Sequence, residues 1–370
     1  MGNDELKYRI GIGLVPKIGP VLAKRLITHC GSIEGIFRER PANLAKIPGI
    51  GEKLAAQIIQ YKNSDVPDRE IRYIEKHKIR VLFYLDENYP ERLRQCEDAP
   101  LVLYVKGTVP LSNEKVLSIV GTRNPTEYGK QFTQQFITDL ARNYPDVLIV
   151  SGLAYGIDIC AHRTALKNNL NTIAVLGHGL STIYPSVHTE TARQITTKGA
   201  LVTEFMYHNK PEAPNFIRRN RIIAGLSDAT IVVESGEKGG ALITADIANS
   251  YNRDVFAIPG RTGDIHSRGC NKLIKSNQAA LMENLSDLEY LLGWHRTSSS
   301  PKAVQREMFV ELEGNESILT DLMKVRGHLT IDQLAGASGM PVGRVASLLL
   351  SLEFKGVVKC LPGKVYMMLN

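Results

Sequence analysis

The stretch Phe216-Ile217-Arg218-Arg219-Asn220-Arg221-Ile222-Ile223-Ala224-Gly225-Leu226-Ser227 packs an aromatic ring and three arginines into little more than a helical turn before turning apolar. It is followed by Glu234-Ser235-Gly236-Glu237-Lys238-Gly239-Gly240-Ala241-Leu242, a glycine-rich turn after an apolar run. Each segment reads as the opening of a helix, where free backbone N–H groups and the positive end of the helix dipole suit an anion. Guanidinium groups supply phosphate contacts and the ring supplies a stacking face, the pairing that holds a single-stranded polynucleotide.

These groups need a scaffold. Val116–Val120, Val147–Val150, Thr172–Leu176, Leu201–Thr203, Thr230–Val233 and Val255–Ile258 read as buried strands separated by helical patterns, which predicts a parallel α/β sheet covered on both faces. Val81–Tyr84 and Leu101–Tyr104 add strands at one edge. In an open parallel sheet, ligands bind at the carboxyl ends of the strands. Those ends deliver Gly121-Thr122-Arg123, Ser151-Gly152 running on to Asp158, Gly177-His178-Gly179 and Gly239-Gly240. Glycine there lets backbone amides approach a phosphate, and Arg123, Arg219, Arg221 and Lys272 would project over the same rim. Phe216 is either a stacking residue or a core aromatic at a helix start.

Around that core, residues 1–68 read as short helices joined by glycine-rich turns. Val15-Pro16-Lys17-Ile18-Gly19-Pro20 is echoed by Ile47-Pro48-Gly49-Ile50-Gly51-Glu52, a pair resembling helix-hairpin-helix motifs. Their turns either approach DNA phosphates or only pack a small helical domain. Residues 69–293 form the sheet domain, 294–306 a linker marked by Ser298-Ser299-Ser300-Pro301, and 307–370 a winged helix. In the last, Thr330-Ile331-Asp332-Gln333 predicts a capping box, and Val342, Val345, Leu348, Leu349 and Leu352 share a face of the third helix, whose polar face has only Arg344 and Lys355.

Other chemistries find little purchase. No GxGxxG follows a strand and no Walker A motif, HExxH or spaced Cys/His set occurs, so neither a cofactor nor a metal is expected. Asp158 reads as a carboxylate favoured by a helix dipole, and His178 between two glycines as a turn residue; His162 and Glu234 complete the candidates for acid–base work. The five cysteines are scattered and read as reduced thiols. A net charge of +7 favours a polyanionic partner. With no signal-peptide pattern or membrane-length apolar run, a cytoplasmic location is expected.

Four blocks together resemble the DNA-processing protein A (DprA/Smf) family of bacteria: Ile119–Arg123, Ser151–Asp158 with Ala161-His162, Phe216–Ser227 continuing to Gly239–Ala245, and Gly269–Ile274. The resemblance covers nearly the whole chain. It implies an α/β fold with a Rossmann-like parallel-sheet core between an N-terminal helical (SAM/helix-hairpin-helix-like) domain and a C-terminal winged helix. It also implies a non-catalytic, homodimeric protein that binds and protects incoming single-stranded DNA in natural transformation and loads the RecA recombinase past single-strand-binding protein. Carried onto this chain, Gly121, Thr122, Arg123, Ser151, Gly152, Arg219, Asn220, Arg221, Gly239, Gly240 and Lys272 would line the phosphate and base track, with Phe216 as the stacking candidate. Arg219→Ala is accordingly expected to weaken binding without unfolding the protein. Tyr155 departs from the family, which often has Arg there, and exchanges a phosphate contact for a ring. Two rival readings are a nucleotide-cleaving hydrolase of the lysine-decarboxylase-like (LOG) group and a transcription regulator acting through the winged helix. The first lacks that group's Pro-Gly-Gly-x-Gly-Thr turn; the second lacks a basic third helix.

Overall fold

The structure, a computed structural model, describes residues 3–61, 65–295, 314–361 and 363–369. It divides into two compact units, Met1–Trp294 and His295–Asn370. The 294–306 linker, apart from its first two residues, lies outside the described residues, as do residues 307–313 of the winged-helix segment.

The first unit opens with six helices: α1 (Asn3–Ile12), α2 (Pro20–Cys30), α3 (Ile33–Arg38), α4 (Pro41–Leu44), α5 (Gly51–Tyr61) and α6 (Val66–His77). The two expected hairpins are the α1–α2 and α4–α5 pairs. The second turn needs left-handed backbone at Gly49, φ 90°, and is tied to α2 by Arg25 Nη1 donating to Pro48 O at 2.8 Å. Ile12, Leu26, Ile36, Phe37, Leu44 and Ile58 form the small core beneath. The boundary expected after residue 68 falls inside α6, which packs on α1 and on Tyr104 of the sheet.

Nine strands follow: β1 (Arg80–Phe83), β2 (Val102–Gly107), β3 (Val116–Val120), β4 (Leu148–Ser151), β5 (Asn171–Val175), β6 (Gly199–Thr203), β7 (Ala229–Val232), β8 (Asp254–Ala257) and β9 (Ala280–Leu281). Their order is β1-β2-β6-β5-β4-β3-β7-β8-β9. Pairing is parallel from β6 to β9, while β1 and β2 extend the β6 edge antiparallel. Interleaved are α7 (Glu91–Arg94), α8 (Glu127–Asn143), α9 (Ile157–Lys167), α10 (Thr189–Lys198), α11 (Ala213–Leu226), α12 (Gly240–Ser250), α13 (Arg268–Lys275) and α14 (Leu285–Leu292). The period of two divides the core into two layers. Val116, Val120, Val150 and Val232 point to one face with α11 and α12, and Leu117, Ile119, Ile149 and Ile231 to the other with α8, α9 and α14. The strand β9 escaped the sequence reading because Ala279-Ala280-Leu281 has no β-branched run to announce it.

The second unit comprises α15 (Gly314–Arg326), β10 (Leu329–Thr330), α16 (Ile331–Ser338), α17 (Val342–Phe354), β11 (Val358–Leu361) and β12 (Val365–Met368). It is a winged helix with a three-stranded sheet ordered β10-β12-β11. The expected capping box is present: the Thr330 hydroxyl accepts from Gln333 N at 3.2 Å, and the Gln333 side chain accepts from Thr330 N at 2.9 Å. Val345, Leu349 and Leu352 of α17 are buried, whereas Val342 is half exposed. Lys355 Nζ is engaged by buried Glu316 at 2.6 Å, which leaves α17 weaker still as a reader of a DNA groove.

Candidate nucleic-acid interface

The strand order reverses between β3 and β7, and the crevice outside the carboxyl ends of an α/β sheet opens at such a switch point. Gly121-Thr122-Arg123 leaves β3 on one side of it, and Val233–Gly239 leaves β7 on the other. The Thr122 amide donates to Glu234 O at 2.7 Å, locking the two loops together. Arg123 remains exposed. Glu234 is buried and spends its carboxylate on the Thr126 amide, at 2.8 Å, and hydroxyl, at the start of α8. Opposite, Gly239 and Gly240 open α12 with no side-chain cap and no acidic residue in the first turn, and the Gly240 face is open. An uncapped, unneutralised helix N-terminus is a phosphate-sized seat. Lys272, on α13, is exposed.

The arginine cluster lies differently from its expectation. Pro214 sets the start of α11 at Ala213, so the arginines occupy the second and third turns rather than the helix opening. Helical rotation then turns Arg218 outward and Arg219 inward. Arg219 is 4% exposed; its Nη1 donates to Gly152 O at 2.7 Å and to Val175 O, tying the ends of β4 and β5 to α11. Burial lowers its pKa to about 10, and nearby Asp158 holds the charge in place. Arg221 is 7% exposed and bonds Glu204 Oε2 at 2.6 Å. Of the four cations expected over the rim, Arg123 and Lys272 are at the surface, and Arg219 and Arg221 are beneath it.

The strand-end glycines have a corresponding use. A Cβ on Gly121 would lie 2.5 Å from Ile157 Cγ1, on Gly152 2.6 Å from the Arg219 guanidinium carbon, and on Gly177 2.7 Å from Phe216 Cδ1. Helices and side chains thus settle onto these strand ends at backbone distance. The Gly152 amide is taken by Asp158 Oδ2 at 3.1 Å, and Ser151 Oγ donates to Ile119 O at 2.6 Å, so both are buried supports. Asn220 is partly exposed and accepts from Arg219 Nε at 3.2 Å.

Phe216 is partly exposed over Gly177, and Tyr184 packs on it with ring centroids 5.7 Å apart. Tyr184 is 49% exposed, and Tyr155, 47% exposed, stands edge-on to His188 at 5.1 Å. Tyr184 was missed because Ile183-Tyr184-Pro185 carries no periodicity; its only sequence signal was an aromatic eight residues beyond a strand. The buried titratable groups are structural. Burial drives His162 down to about 3, and its Nδ1 pairs with Thr172 Oγ1 at 2.8 Å. Burial also lowers His178, which bonds Gly179 O at 2.9 Å through Nδ1 and accepts from Tyr184 N at 3.3 Å through Nε2. Asp158 is pushed up by burial.

A residue of the last N-terminal helix, α6, supports this edge. Glu70 of α6 is 2% exposed and receives the Tyr207 amide on both carboxylate oxygens, at 3.0 and 3.1 Å. Burial pushes its carboxyl up to about 7. The loop it pins takes Gly179 N on Asn209 O at 2.9 Å and Ser181 N on Tyr207 O at 3.3 Å, and so holds the segment that carries Tyr184. Among the described residues no three His, Cys, Asp or Glu side chains converge as metal ligands, and no helix is long and apolar enough to cross a membrane.

Comparison with known proteins agrees with this architecture. The family model for DNA recombination-mediator protein A matches residues 80–292, a SAM-like helix-hairpin-helix tandem model matches 13–61, and a DprA winged helix domain model matches 311–364. Protein Smf of Synechocystis sp. is 33% identical over 99% of this chain and 99% of its own length. The solved structure of DNA processing protein A (DprA) from Streptococcus pneumoniae superimposes with a TM-score of 0.67 at 31% identity, covering 78% of this chain and 98% of that one. DNA processing protein A from Helicobacter pylori, described for its single-stranded DNA binding mode, superimposes with a TM-score of 0.52 at 31% identity, over 58% of this chain and 95% of that one.

Proposed function

The chain belongs to the DNA recombination-mediator protein A family, and from that premise we propose that it binds single-stranded DNA without catalysis along the carboxyl edge of its sheet. The observation that carries this reading is the crevice at the β3–β7 switch point, where the uncapped α12 N-terminus faces the Gly121-Thr122-Arg123 loop, with exposed Arg123 beside it. Phosphates sit on Thr122, Arg123, the open start of α12 at Gly239–Gly240 and Lys272, with Asn220 at the track. Bases stack on Phe216 and Tyr184. Gly121, Ser151, Gly152, Arg219 and Arg221 shape the track from below. A phosphate track gives affinity without sequence preference, and stacking favours unpaired strands.

The hydrolase reading has less support, since Glu234 is committed to the start of α8 and Asp158 to the Gly152 amide. The Helicobacter pylori relative, described for its single-stranded DNA binding mode, supports the choice of a single strand as the ligand. In the cell, the protein would act in the cytoplasm as a homodimer, protect incoming strands in transformation, and pass them to RecA in place of single-strand-binding protein. Loading is tested by following RecA filament assembly on strands already coated with single-strand-binding protein. The reading expects this chain to shorten the lag, and an Arg123→Ala, Lys272→Ala protein to shorten it less; an unchanged lag with the wild-type chain overturns the loading role.

A further inference from the structure

On the face of the sheet covered by α9 and α10, an open groove of about 440 Å³ lies between the two helices. Arg163 and Lys167 line it from α9, one turn apart, so their Cβ atoms are about 5–6 Å from one another on the same helical face. Both are exposed. The Arg163 Nε donates to Thr191 Oγ1 at 3.3 Å, which orients the guanidinium along the groove. The groove's carboxylate, Glu190, is already occupied by Arg193, at 2.7 and 2.9 Å, and by the Gln194 amide at 3.0 Å. The cationic pair therefore sets the sign of the groove.

Apolar surface accompanies it. Val187, just before α10, is 63% exposed, and Leu166 of α9 is partly buried; both line the groove. Val187 immediately precedes His188, the residue on which the Tyr155 ring stands, and His188 Nδ1 is anchored to Leu153 O at 2.8 Å. An exposed ring held by an anchored imidazole thus stands between the carboxyl edge and the mouth of the groove, and α9 itself begins at that edge. Basic side chains interleaved with apolar and aromatic surface are what a single strand requires.

We propose that a single strand seated on the carboxyl edge leaves it over Tyr155 and continues into the α9–α10 groove, with phosphates on Arg163 and Lys167 and a base against Val187 and Leu166. This rests on the reading of the edge as a single-strand site, and it lengthens that site onto a face of the domain that the strand-end residues do not reach.

The test uses the full chain, an Arg163→Ala, Lys167→Ala double variant and a Lys167→Glu variant, each checked for wild-type melting. Binding of oligothymidylates of graded length is measured across a salt series. Releasing the counterions of two phosphates accounts for a salt slope of about 1.4, or roughly 25-fold in affinity at 0.1 M salt. The longest strands should therefore bind the double variant about 25-fold more weakly, with a salt slope shallower by about 1.4. The shortest strands should bind it as they bind wild type, and Lys167→Glu should weaken only the long ones. Equal affinity and slope at every length, with wild type binding well, overturns the groove and leaves the edge reading standing. A uniform loss at every length, or a lowered melting temperature accounting for the change, also overturns it. Absence of wild-type binding to any strand removes the edge reading and this inference with it.

Discussion

Arg219→Ala is the sharpest perturbation of the structure. The guanidinium is 4% exposed, bonds Gly152 O and Val175 O, and lies close to buried Asp158. Removing it strips two carbonyls of a donor and leaves a buried carboxylate without its counter-charge. Breaking a buried pair from one side costs about 3–5 kcal/mol, a large part of a total stability of about 5–15 kcal/mol. The loss should depend on pH. Burial already pushes the Asp158 carboxyl above its ordinary value, and losing Arg219 raises it further. A carboxyl with a higher pKa in the folded state favours the fold below its unfolded pKa and loses that contribution as pH rises. The variant should therefore be destabilised by about 4 kcal/mol at pH 7.5 and by less at pH 5, where more of the carboxyl is protonated. Urea unfolding followed by circular dichroism at both pH values measures this. Adding Asp158→Asn should recover part of the loss, because the uncompensated charge goes with it. A penalty that does not change with pH, or a double variant no more stable than the single, would refute the assignment of Arg219 to the scaffold.

Arg123→Ala should behave in the opposite way: unchanged melting, weaker single-strand binding, and a salt slope shallower by about 0.7, measured by fluorescence anisotropy. Tyr184→Ala should cost about 1–3 kcal/mol in single-strand affinity and Tyr184→Phe little; equal losses for both would point to the hydroxyl rather than the ring. The Glu70 carboxyl, raised to about 7, contributes stability that is full below its unfolded pKa near 4.5 and is lost as pH rises through 7. Wild type should thus lose up to about 3 kcal/mol between pH 5 and 8 from this group alone, and Glu70→Gln, which keeps an acceptor for the Tyr207 amide, should flatten that part of the melting profile. A profile identical in the two proteins would remove Glu70 as its source.

Most of the architecture was legible because burial writes itself into sequence. Parallel strands sandwiched between helices must be apolar on both faces, so β3, β5, β7 and β8 appeared as continuous runs, and the Thr330–Gln333 cap as a local motif. β9 was not legible, since two residues paired at an edge need no pattern. Among the site residues, type was readable and direction was not. Arg218, Arg219 and Arg221 are chemically alike, and only the face by which α11 packs on the sheet decides which of them meets solvent. The strand-end glycines were read as room for phosphate, and at Gly152 and Gly177 that room is filled by Arg219 and Phe216. Glu70 and Tyr207 lie 137 residues apart, and nothing local in either segment announces the pair.

The claim that this edge holds single strands through phosphate neutralisation and stacking is met most directly by a salt titration of binding to single-stranded and duplex oligonucleotides of equal length. The account predicts a marked preference for the single strand and an affinity that falls linearly in log–log form with salt, with a slope near 0.7 per phosphate contacted. Equal binding to both forms, or a single-strand affinity indifferent to salt, would contradict it.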